Sequence, residues 1–482
     1  MLRTRSFALL AALSACLAER AIAKSAPAER PAPAPAPAAE GGGVPVPPGI
    51  RAKEFRPADF GAKGDGTTND RASIAALFEV ARAYTDGPGN FAVITFPEGT
   101  FLLGDGPPLQ VPSHSLVRGA GAQTVLRRAP ATTAFALLTN AVYGKGTLGA
   151  EDITIRDLTF DSDGGAQRPA YAESRHAIAL IGARSTTVTR CHFRRLSGDG
   201  IYVGSTADGV HRTTTPRQIR ISDCTFEGSG RGRNGISLID VEDSTIVGNN
   251  FLDVAGPGMP GGVDLEPNAA SETIMDVLIS GNTFRGCRQG IQVYNAAGAR
   301  VGRITIRDNV IHGARDGGHA IFTVNVAALA VIHNFVQHVS GSGSGIHVER
   351  CPSAALSHNS IEEVSNVGIW LVQSDDGEIS RNLVTDAAAD AIRLSGSERA
   401  MVLSNHARYW GRKRPGSFAA LHGLAGSTGA EVKDNTFVGD GSRGTTAVAA
   451  DDGTTAWIIG TNAVSGVEIP YRIVGAVSRA VP

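Results

Sequence analysis

The sequence has little lysine, few aromatic residues and few cysteines, and each shortage excludes a class of protein. Lysine and arginine total 45 against 46 aspartates and glutamates, which gives a formal net charge of −1. The basic surface of a nucleic-acid-binding protein is therefore not indicated. Only six of the cations are lysines, and none occurs between Lys145 and Lys413. Any cationic catalytic group in that stretch must be arginine or histidine.

Cysteine is scarce and long apolar runs are missing. Besides Cys16 the chain has Cys191, Cys224, Cys287 and Cys351, too few for a scaffold held by disulfides, and their spacing does not match a structural zinc site. No segment reaches the roughly 18 continuous apolar residues of a membrane-spanning helix. Glycine is abundant instead, with 59 residues, and hydrophobic residues make up 42% of the 482-residue chain. A large folded core with many turns is therefore expected.

The start of the chain resembles an export signal. Two arginines precede a short apolar stretch at 7–15, and we expect residues 1–23 to be a signal peptide cleaved after the small residues at 21–23. Alternatively, residues 13–16 (LSAC) resemble a bacterial lipobox, which would place a lipid on Cys16. Both readings predict an exported bacterial protein that is periplasmic, secreted or attached to the outer membrane as a lipoprotein.

Residues 24–54 are rich in proline and alanine. Alternating proline and alanine favours extended polyproline geometry and cannot form a core. We therefore expect a linker over 24–54 and a folded domain over 55–475.

A repeated segment of the form Ile-x-x-Asn-x-Phe organises the body of the chain. Copies occur at 246–251, 279–284, 306–311, 331–336, 356–361, 379–384 and 432–437, and earlier copies at 188–193 and 221–226 carry cysteine in place of asparagine. Each copy up to 379–384 is followed by a second strand that starts with Gly or Ala and continues with Ile or Val. The steps between these starts, from Gly200 to Ala391, are 35, 27, 28, 30, 25, 23 and 23 residues. Two short strands in a period near 23 predict a parallel β-helix whose longer coils carry loop insertions.

The recurring asparagine is expected to be structural. In stacked coils each buried amide can hydrogen-bond to the copies above and below and to the turn backbone. Cys191 and Cys224 occupy the same column. We expect buried thiols there, although strands about 5 Å apart would also permit a disulfide.

The N-terminal end of a solenoid must be covered, because an open coil exposes backbone and core. Residues 67–83 have helical spacing, with Asn69 or Asp70 as the N-cap. We expect this helix to be the N-terminal cap, and 93–97 (VITFP) to be the first buried strand.

Residues 60–70 (FGAKGDGTTND), the helix that follows, 93–101 (VITFPEGTF) and 118–121 (RGAG) resemble the opening of pectate-lyase-superfamily proteins. With the coils, the resemblance covers roughly residues 55 to 465. It implies an all-β, single-stranded, right-handed parallel β-helix that acts on polysaccharides. The superfamily includes lyases, glycoside hydrolases, uronate epimerases and phage tailspikes, so the resemblance implies the fold and leaves the reaction open.

Outward positions of the second strands are where a β-helix would bind a polymer. Alternation along a strand predicts two outward columns. The first reads Ala179, Tyr202, Ser237, Asp264, Gln292, Phe322, His347, Trp370 and Arg393, and the second reads Ile181, Gly204, Ile239, Glu266, Tyr294, Val324, Glu349, Val372 and Ser395. Aromatic rings on such a face stack on sugars while polar groups fix orientation. The predicted substrate-binding residues are Tyr202, Arg288, Gln292, Tyr294, Glu349 and Trp370; a decorated solvent-facing surface is the alternative.

Asp264 and Glu266 are two residues apart on one predicted strand, so both carboxylates should leave the same face about 7 Å apart at the backbone. Together with Asn268 the pair could bind Ca²⁺, which prefers oxygen ligands. It could also serve as the acid and base of a glycosidase, or lie near a uronate carboxylate through a bridging metal.

His319, His347 and Arg393 are the predicted sources of a base and of positive charge. In lyases of the resembled superfamily an Arg, Lys, His or Tyr commonly removes the proton beside the uronate carboxylate, often near calcium, and lysine is absent here. Uronate epimerases carry Asp-Pro-His where this chain has Asp264-Leu-Glu266, and the motifs of pectin hydrolases are missing apart from a partial echo at 318–320.

The leading prediction is an exported polysaccharide lyase that acts by β-elimination on a uronate-containing glycan, with Asp264 and Glu266 binding a cation or the substrate carboxylate. A glycoside hydrolase using Asp264 and Glu266 is the second reading, and a uronate epimerase fits less well. A glycan-binding β-helix without catalysis is the third.

Overall fold

The structure is a computed structural model, and it describes residues 49–133, 135–140, 149–163, 174–207, 212–228, 232–256, 259–414, 416–424, 426–442, 445–474 and 477–480. The expected signal peptide, Cys16 and most of the expected linker lie outside these residues. Within them, no helix has the length and apolar character needed to cross a bilayer. The first strand begins at Arg51, a little before the predicted start of the folded domain at Phe55.

Three parallel sheets wind along the described chain, and successive coils contribute neighbouring strands to each sheet. The first sheet contains Arg51–Phe55, Asn90–Thr95, Ser115–Arg118, Glu151–Arg156, Arg184–Thr189, Arg217–Ser222, Val241–Val247, Thr273–Ser280, Arg300–Arg307, Ala327–Ile332, Ala355–Ser357, Glu378–Ser380, Met401–Leu403, Glu431–Lys433, Trp457–Ile459 and Val477–Ala480. The second contains Asp65–Asn69, Gly99–Leu103, Thr124–Arg128, Thr159–Asp161, His192–Arg194, Thr225–Glu227, Asn250–Leu252, Thr283–Arg285, Val310–His312, Phe335–Val339, Ser360–Val364, Leu383–Ala387, His406–Trp410, Thr436–Val438 and Ala463–Ser465. The third contains Ala136–Thr139, His176–Ile181, Ile201–Gly204, Ile236–Leu238, Gly261–Leu265, Gln289–Tyr294, Ile321–Val324, Ile346–Glu349, Ile369–Val372, Ile392–Ser395, Ala419–Leu424, Thr446–Ala450 and Ile469–Ile473.

Few other elements accompany the three sheets in the described part of the chain. They are an α-helix, α1, at Arg71–Thr85, the 3₁₀ turns Pro57–Phe60 and Gly121–Gln123, and an antiparallel pair of strands, Thr206–Ala207 and Arg212–Thr214. The predicted parallel β-helix is confirmed.

The prediction of two strands per coil is wrong, because the Ile-x-x-Asn-x-Phe segment makes two strands rather than one. At 379–384 the chain leaves the first sheet after Ser380 and enters the second at Leu383. Arg381 between them has φ +54°, a left-handed conformation that turns the backbone. The equivalent residue of other coils is also left-handed, namely Arg190, Asp223, Gly248, Gly281, Asp308, His333, His358, Ser404 and Asp434. A corner therefore precedes each asparagine, and each full coil has three strands.

The asparagine column forms the predicted ladder. From Asn249 to Asn435, each Nδ2 donates to Oδ1 of the asparagine in the next coil at 2.9–3.0 Å. The same amides also donate to backbone carbonyls of neighbouring coils, as Asn382 does to Leu356 at 2.8 Å. Cys191 and Cys224 continue the column as buried free thiols, which confirms the expectation of thiols rather than a disulfide.

Apolar side chains from Phe55 to Ile459 form one continuous core inside the coils. Its centre contains a stack of phenylalanine rings whose neighbouring centroids are 4.6–5.0 Å apart, made by Phe160, Phe193, Phe226, Phe251 and Phe284. The glycines that start the third-sheet strands are required by this packing. A Cβ on Gly262 would lie 2.8 Å from the Phe284 ring and 2.1 Å from the Gly290 carbonyl oxygen. These glycines are therefore sites of close approach rather than the turn residues that the composition suggests.

Helix α1 lies at the N-terminal end of the solenoid, as predicted. It buries Ile74, Leu77, Phe78 and Ala81 in the continuous core. Asp70 precedes it but makes no side-chain cap; its carboxylate instead accepts the backbone N–H groups of residues 63 and 64 at 2.7 and 2.9 Å.

Candidate functional site

The register of the third sheet confirms the first outward column. Asp264 is paired with Ser237 on one side and Gln292 on the other, and the same alignment continues through Phe322, His347, Trp370 and Arg393. The column then continues one coil further, to His422. In the second column Tyr294, Val324, Glu349, Val372 and Ser395 are aligned, whereas Glu266 lies just after its strand ends at Leu265.

This outward face is not evenly exposed. Ala179 and Ile181 are completely buried and pack with Phe135 and Tyr202 in a small apolar cluster outside the main core. Further along, Tyr294, Phe322, Trp370 and Arg393 are half-buried. The face is therefore closed at its N-terminal coils and accessible from the middle of the solenoid onward.

Asp264 is held by two amides. It is 2% exposed; Asn234 donates through Nδ2 to its Oδ2 at 3.0 Å, and Gln292 donates through Nε2 to its Oδ1 at 3.1 Å. Burial, followed by the negative charges of Glu266 and Asp199, raises the pKa of Asp264 to about 8, against the opposing hydrogen bond from Gln292. At neutral pH Asp264 is thus a carboxylic acid that carries its proton.

Asp199 supplies part of that negative charge. Burial would raise the pKa of Asp199, but its hydrogen bond to His176 and the charges of His176 and Arg233 outweigh burial and lower it. Nδ1 of His176 is 3.2 Å from Asp199, and the His176 ring stacks on Tyr202 at 4.6 Å between centroids. Tyr202 is half-buried. One face of its ring is covered by His176, the residue that contacts Asp199, so that face is not open for stacking on a sugar.

Glu266 is half-buried, and Asn268 is exposed in the turn that follows. The backbone N–H of Asn268 donates to the Glu272 carboxylate. Among the described residues no group of three or more His, Cys, Asp or Glu side chains is placed to hold a metal ion. A protonated Asp264 whose two oxygens already accept amide hydrogens fits a hard cation poorly. The predicted Ca²⁺ site stays a prediction.

The side chains of His319 and His347 are in contact, which the sequence reasoning did not anticipate. Nδ1 of His319 accepts the backbone N–H of Ser344 at 3.0 Å, so the proton of a neutral His319 is on Nε2. That nitrogen lies 3.4 Å from Nδ1 of His347, so the remaining proton of His347 is on Nε2, which is 3.9 Å from the Glu349 carboxylate. Burial lowers the pKa of His319 to about 4 and that of His347 to about 3.

The basic lone pair of His319 is occupied by a backbone donor, so a role as substrate base is not favoured by its geometry. His347 is in register three coils from Asp264, roughly 14 Å at the usual strand spacing. The histidine pair and Asp264 are therefore separate groups on one face.

An aromatic and cationic stack continues from His347. Its ring stacks on Trp370 at 4.6 Å between centroids, and the guanidinium of Arg393 lies 5.1 Å above the same indole. Trp370 donates through Nε1 to Ser395 at 2.9 Å. Arg393 is also paired with the buried Asp390, so its guanidinium is already engaged and is not a free base.

The remaining predicted binding residues lie beside this stack. Tyr294 stacks loosely on Phe322, with centroids 6.1 Å apart. Glu349 forms an ion pair with Arg350. Arg288 donates through Nη1 to the Met259 carbonyl at 3.5 Å.

One set of polar residues on this face was missed by the sequence reasoning, apart from His319. It is the residue directly before the Gly or Ala that starts each third-sheet strand, three positions before the first outward column. Its polar members include His176, Asp199, Asn234, Gln289, His319, Ser344 and Asp390. Hydrogen bonds across this spacing join Asn234 to Ser237 and Gln289 to Gln292. The sequence repeat could have revealed these residues, because each of them directly precedes the recurring Gly or Ala at the start of a third-sheet strand.

Asp390 and His422 form a second buried polar group, with Asp451. Nδ1 of His422 is 3.1 Å from Asp390 and Nε2 is 3.1 Å from Asp451. The pKa of His422 is raised: burial acts to lower it, but the hydrogen bonds and charges of Asp390 and Asp451 outweigh burial. The imidazole is therefore held between two carboxylates in a geometry that suits its protonated form.

A family model described as the right-handed β-helix region matches this chain over residues 141–336 and again over 261–437, together more than half of its length. The chain belongs to the right-handed β-helix family. The handedness and fold that the resemblance to the pectate-lyase superfamily implies are thereby confirmed.

Several solved structures resemble this right-handed β-helix at low sequence identity. Gene product 12 of bacteriophage phi29, in its pre-mature form, is 15% identical with a TM-score of 0.65, over 87% of this chain and 56% of that one. The mannuronan C-5 epimerase AlgE4 A-module of Azotobacter vinelandii is 16% identical with a TM-score of 0.46, over 89% and 100%. A family 28 exopolygalacturonase of Yersinia enterocolitica is 12% identical with a TM-score of 0.48, over 86% and 78%. At such identities the likeness concerns the fold.

Proposed function

We propose that this protein is an enzyme that hydrolyses a uronate-containing polysaccharide bound along the outward face of the third sheet. Asp264 is the proposed proton donor and Glu266 the proposed partner carboxylate. The observation that carries the proposal is the protonated Asp264 beside Glu266, whose negative charge helps to raise the pKa of Asp264 to about 8. A carboxyl group that keeps its proton at neutral pH and a neighbouring carboxylate are the usual acid and base of a glycosidase.

In the proposed reaction, Asp264 transfers its proton to the glycosidic oxygen as the bond from that oxygen to the anomeric carbon breaks. Glu266 accepts a proton from the water that attacks the same carbon. Proton exchange with solvent then returns Asp264 to the acid form and Glu266 to the carboxylate. General acid and base groups of this kind contribute about 10²–10⁴-fold each to the rate.

The stack of His347, Trp370 and Arg393 supports the polymer in this proposal. Its spacing follows the coils, with successive groups about 5 Å apart, so consecutive sugars meet consecutive side chains. Tyr294 and Phe322 extend the same face toward Asp264.

Hydrolysis is preferred to β-elimination because of what surrounds the candidate bases. The lone pair of His319 accepts a backbone N–H, and Arg393 is paired with Asp390. Neither group is placed as a free base beside Asp264. β-Elimination remains a distinct outcome of the assay below.

Glycan binding without cleavage is a second candidate function, and the 2% exposure of Asp264 favours it. A buried acid must be reached by the glycosidic oxygen if it is to donate a proton. If the substrate never reaches it, the neutral Asp264 would only stabilise the face on which glycans bind.

The test is cleavage of a panel of acidic and neutral polysaccharides, with reducing ends and ultraviolet absorbance of unsaturated products recorded together. The hydrolase proposal predicts reducing ends alone, lost by at least 10²-fold in Asp264→Asn and Glu266→Gln. The matched control is Glu362→Gln, on the second sheet. Rising ultraviolet absorbance would show a lyase, and binding without any cleavage would show the non-catalytic protein.

A further inference from the structure

The residues around His422 lie on the same face as Asp264 but play no part in the proposed chemistry. Arg393 is five coils from Asp264 along the first outward column, which is roughly 24 Å at the usual strand spacing. His422 lies one coil further. These groups therefore cannot contact a sugar that is being cleaved at Asp264.

The buried Asp390 carboxylate is shared between two cations. Arg393 donates through Nε to its Oδ2 at 2.6 Å, and His422 Nδ1 is 3.1 Å from its Oδ1. Oδ1 also accepts the backbone N–H of Ala419 at 2.7 Å. Asp390 is completely buried, so its hydrogen bonds fix the positions of both cationic side chains.

On the other side of His422, Asp451 is likewise shared. Its Oδ2 is 3.1 Å from Nε2 of His422, and its Oδ1 is 3.5 Å from the guanidinium of Arg472. Among the described residues, the pairs formed here join three cations, Arg393, protonated His422 and Arg472, to two carboxylates, Asp390 and Asp451. This group of five side chains therefore has one net positive charge. When His422 loses its proton, the net charge is zero.

We propose that Arg393, His422 and Arg472 form a second subsite that binds an acidic sugar residue and that carries a net charge only while His422 is protonated. The inference rests on the proposed function, because it takes the polymer to follow the same outward face. The Arg393 guanidinium lies over one face of the Trp370 ring and the His347 ring over the other, so the indole helps to hold Arg393 in place. The cations of the subsite would then meet the sugar carboxylate. The recognised chemistry is a carboxylate or a sulfate ester on the sugar.

The titration has a defined direction. Burial acts to lower the pKa of His422, but Asp390 and Asp451 outweigh burial and raise it above its ordinary value. Below this raised pKa the protonated subsite attracts an anion. Above it the imidazole is neutral and the attraction weakens. The groups that face His422 are Asp390, Asp451 and, through them, Arg393 and Arg472. The pKa values of His319 and His347, about 4 and 3, keep those histidines neutral over pH 5.5 to 8.

The experiment uses the full chain with Asp264→Asn, which removes both turnover and the titration of Asp264. Calorimetric affinities are measured at pH 5.5 and pH 8 for an oligogalacturonate, its methyl ester and a sulfated neutral oligosaccharide. We expect the oligogalacturonate to bind about tenfold more tightly at pH 5.5, as one charged hydrogen bond implies, and the ester to show no such gain. Tighter binding of the sulfated sugar at pH 5.5 would identify sulfate as a second accepted group.

In this background His422→Gln should abolish the pH dependence, and Arg393→Gln should weaken binding about tenfold at both pH values. Arg408→Gln, on the second sheet, is the charge-matched control. Asp451→Asn is the second variant, for the case that His422→Gln does not fold. Asp451 is half-exposed, and its carboxylate helps to raise the pKa of His422. Its removal should therefore move the midpoint of the pH dependence of binding to lower pH.

Equal affinity for acid and ester, or an unchanged pH dependence in Asp451→Asn, would overturn the subsite. The proposed function fails separately, if Asp264→Asn alone cleaves as fast as the natural sequence. Cleavage lost in that variant, together with equal binding of acid and ester, would leave the proposed function standing and remove only the subsite.

Discussion

Gln292 donates through Nε2 to Oδ1 of Asp264 at 3.1 Å, and the two residues are in register on neighbouring coils. Gln289 donates through Nε2 to the side-chain oxygen Oε1 of Gln292 at 2.8 Å, which fixes the orientation of the Gln292 amide. The amide hydrogen favours the ionised form of Asp264, whereas burial, Glu266 and Asp199 favour the protonated form and prevail. The pKa of Asp264 therefore depends partly on Gln292, whose amide can be removed by substitution.

Replacing Gln292 by leucine removes that donor, and we expect the pKa of Asp264 to rise further, by about one unit for a hydrogen bond to a charged group. Because the protonated Asp264 is the proposed active form, kcat/KM of the natural sequence should fall as pH rises through about 8. In Gln292→Leu this fall should occur at higher pH. A pH profile of kcat/KM checks the shift, with Gln337→Leu on the second sheet as control. An unmoved alkaline limb would contradict the assignment of Asp264 as the acid.

The asparagine ladder predicts a large stability cost for a substitution far from any substrate. Asn382 accepts from the backbone and amide N–H groups of Asn359 at 2.9 Å and donates to Leu356 and Asn405. Asn382→Ala leaves several of these buried groups without partners, at about 1–3 kcal/mol each. We expect the free energy of unfolding, measured in urea, to fall by about 2–5 kcal/mol.

The control for the ladder is Asn366→Ala. The Asn366 amide donates to the Ser342 carbonyl at 3.0 Å at the surface, so its loss should cost less than about 1 kcal/mol. Similar losses for both variants would mean that the ladder contributes no more than a surface hydrogen bond.

Two classes of glycine should respond differently to substitution. Gly262→Ala places a Cβ against the Gly290 carbonyl and the Phe284 ring, and overpacking of this kind costs about 1–3 kcal/mol or more. Gly281 has φ +64°, and a Cβ there would meet only the Gly248 backbone nitrogen, at 4.0 Å. It lies at the corner position where other coils hold aspartate. Gly281→Asp should therefore change the unfolding free energy by less than about 1 kcal/mol. Thermal and urea unfolding of the two variants measure the contrast, and equal losses would contradict it.

Much of the fold could be predicted from the sequence because the repeat is visible as a pattern of side chains. The asparagine column, the outward column from Tyr202 to Arg393 and the N-terminal helix all follow from periodicity. The third strand of each coil could not be predicted in this way. It depends on a left-handed corner held by residues as different as Arg381, His333 and Asp308, so composition at the corner gives no common signal.

The site was predictable in its positions and less so in its chemistry. Asp264 was found from its place on the strand, but its protonation depends on burial and on Asp199, which come from coil stacking. His422 was missed because its coil lacks the Gly-Ile start, reading Ala420-Leu421 instead. The pairing of His319 with His347 depends on two coils of unequal length aligning, and sequence spacing alone does not give that alignment.

The paired histidines predict how stability depends on pH. Burial lowers the pKa of His319 to about 4 and that of His347 to about 3, while an unfolded histidine has a pKa near 6.5. Between those values the unfolded chain binds more protons than the folded chain, so stability falls as pH decreases below about 6.5. From pH 7 to pH 5 each histidine should remove on the order of 2 kcal/mol from the free energy of unfolding.

The comparison that isolates this effect is the double variant His319→Gln/His347→Gln, because carboxylates elsewhere also contribute to acid sensitivity. Its free energy of unfolding, measured in urea at pH 7, 6 and 5, should fall less steeply than that of the natural sequence. The difference should reach a few kcal/mol at pH 5. His333→Gln, at an exposed corner, is the control and should keep the natural slope, because its imidazole already faces solvent in the folded chain. If the double variant is as acid-sensitive as the natural sequence, the two imidazoles are not held neutral by burial, and their assigned protonation on Nε2 would have to be abandoned.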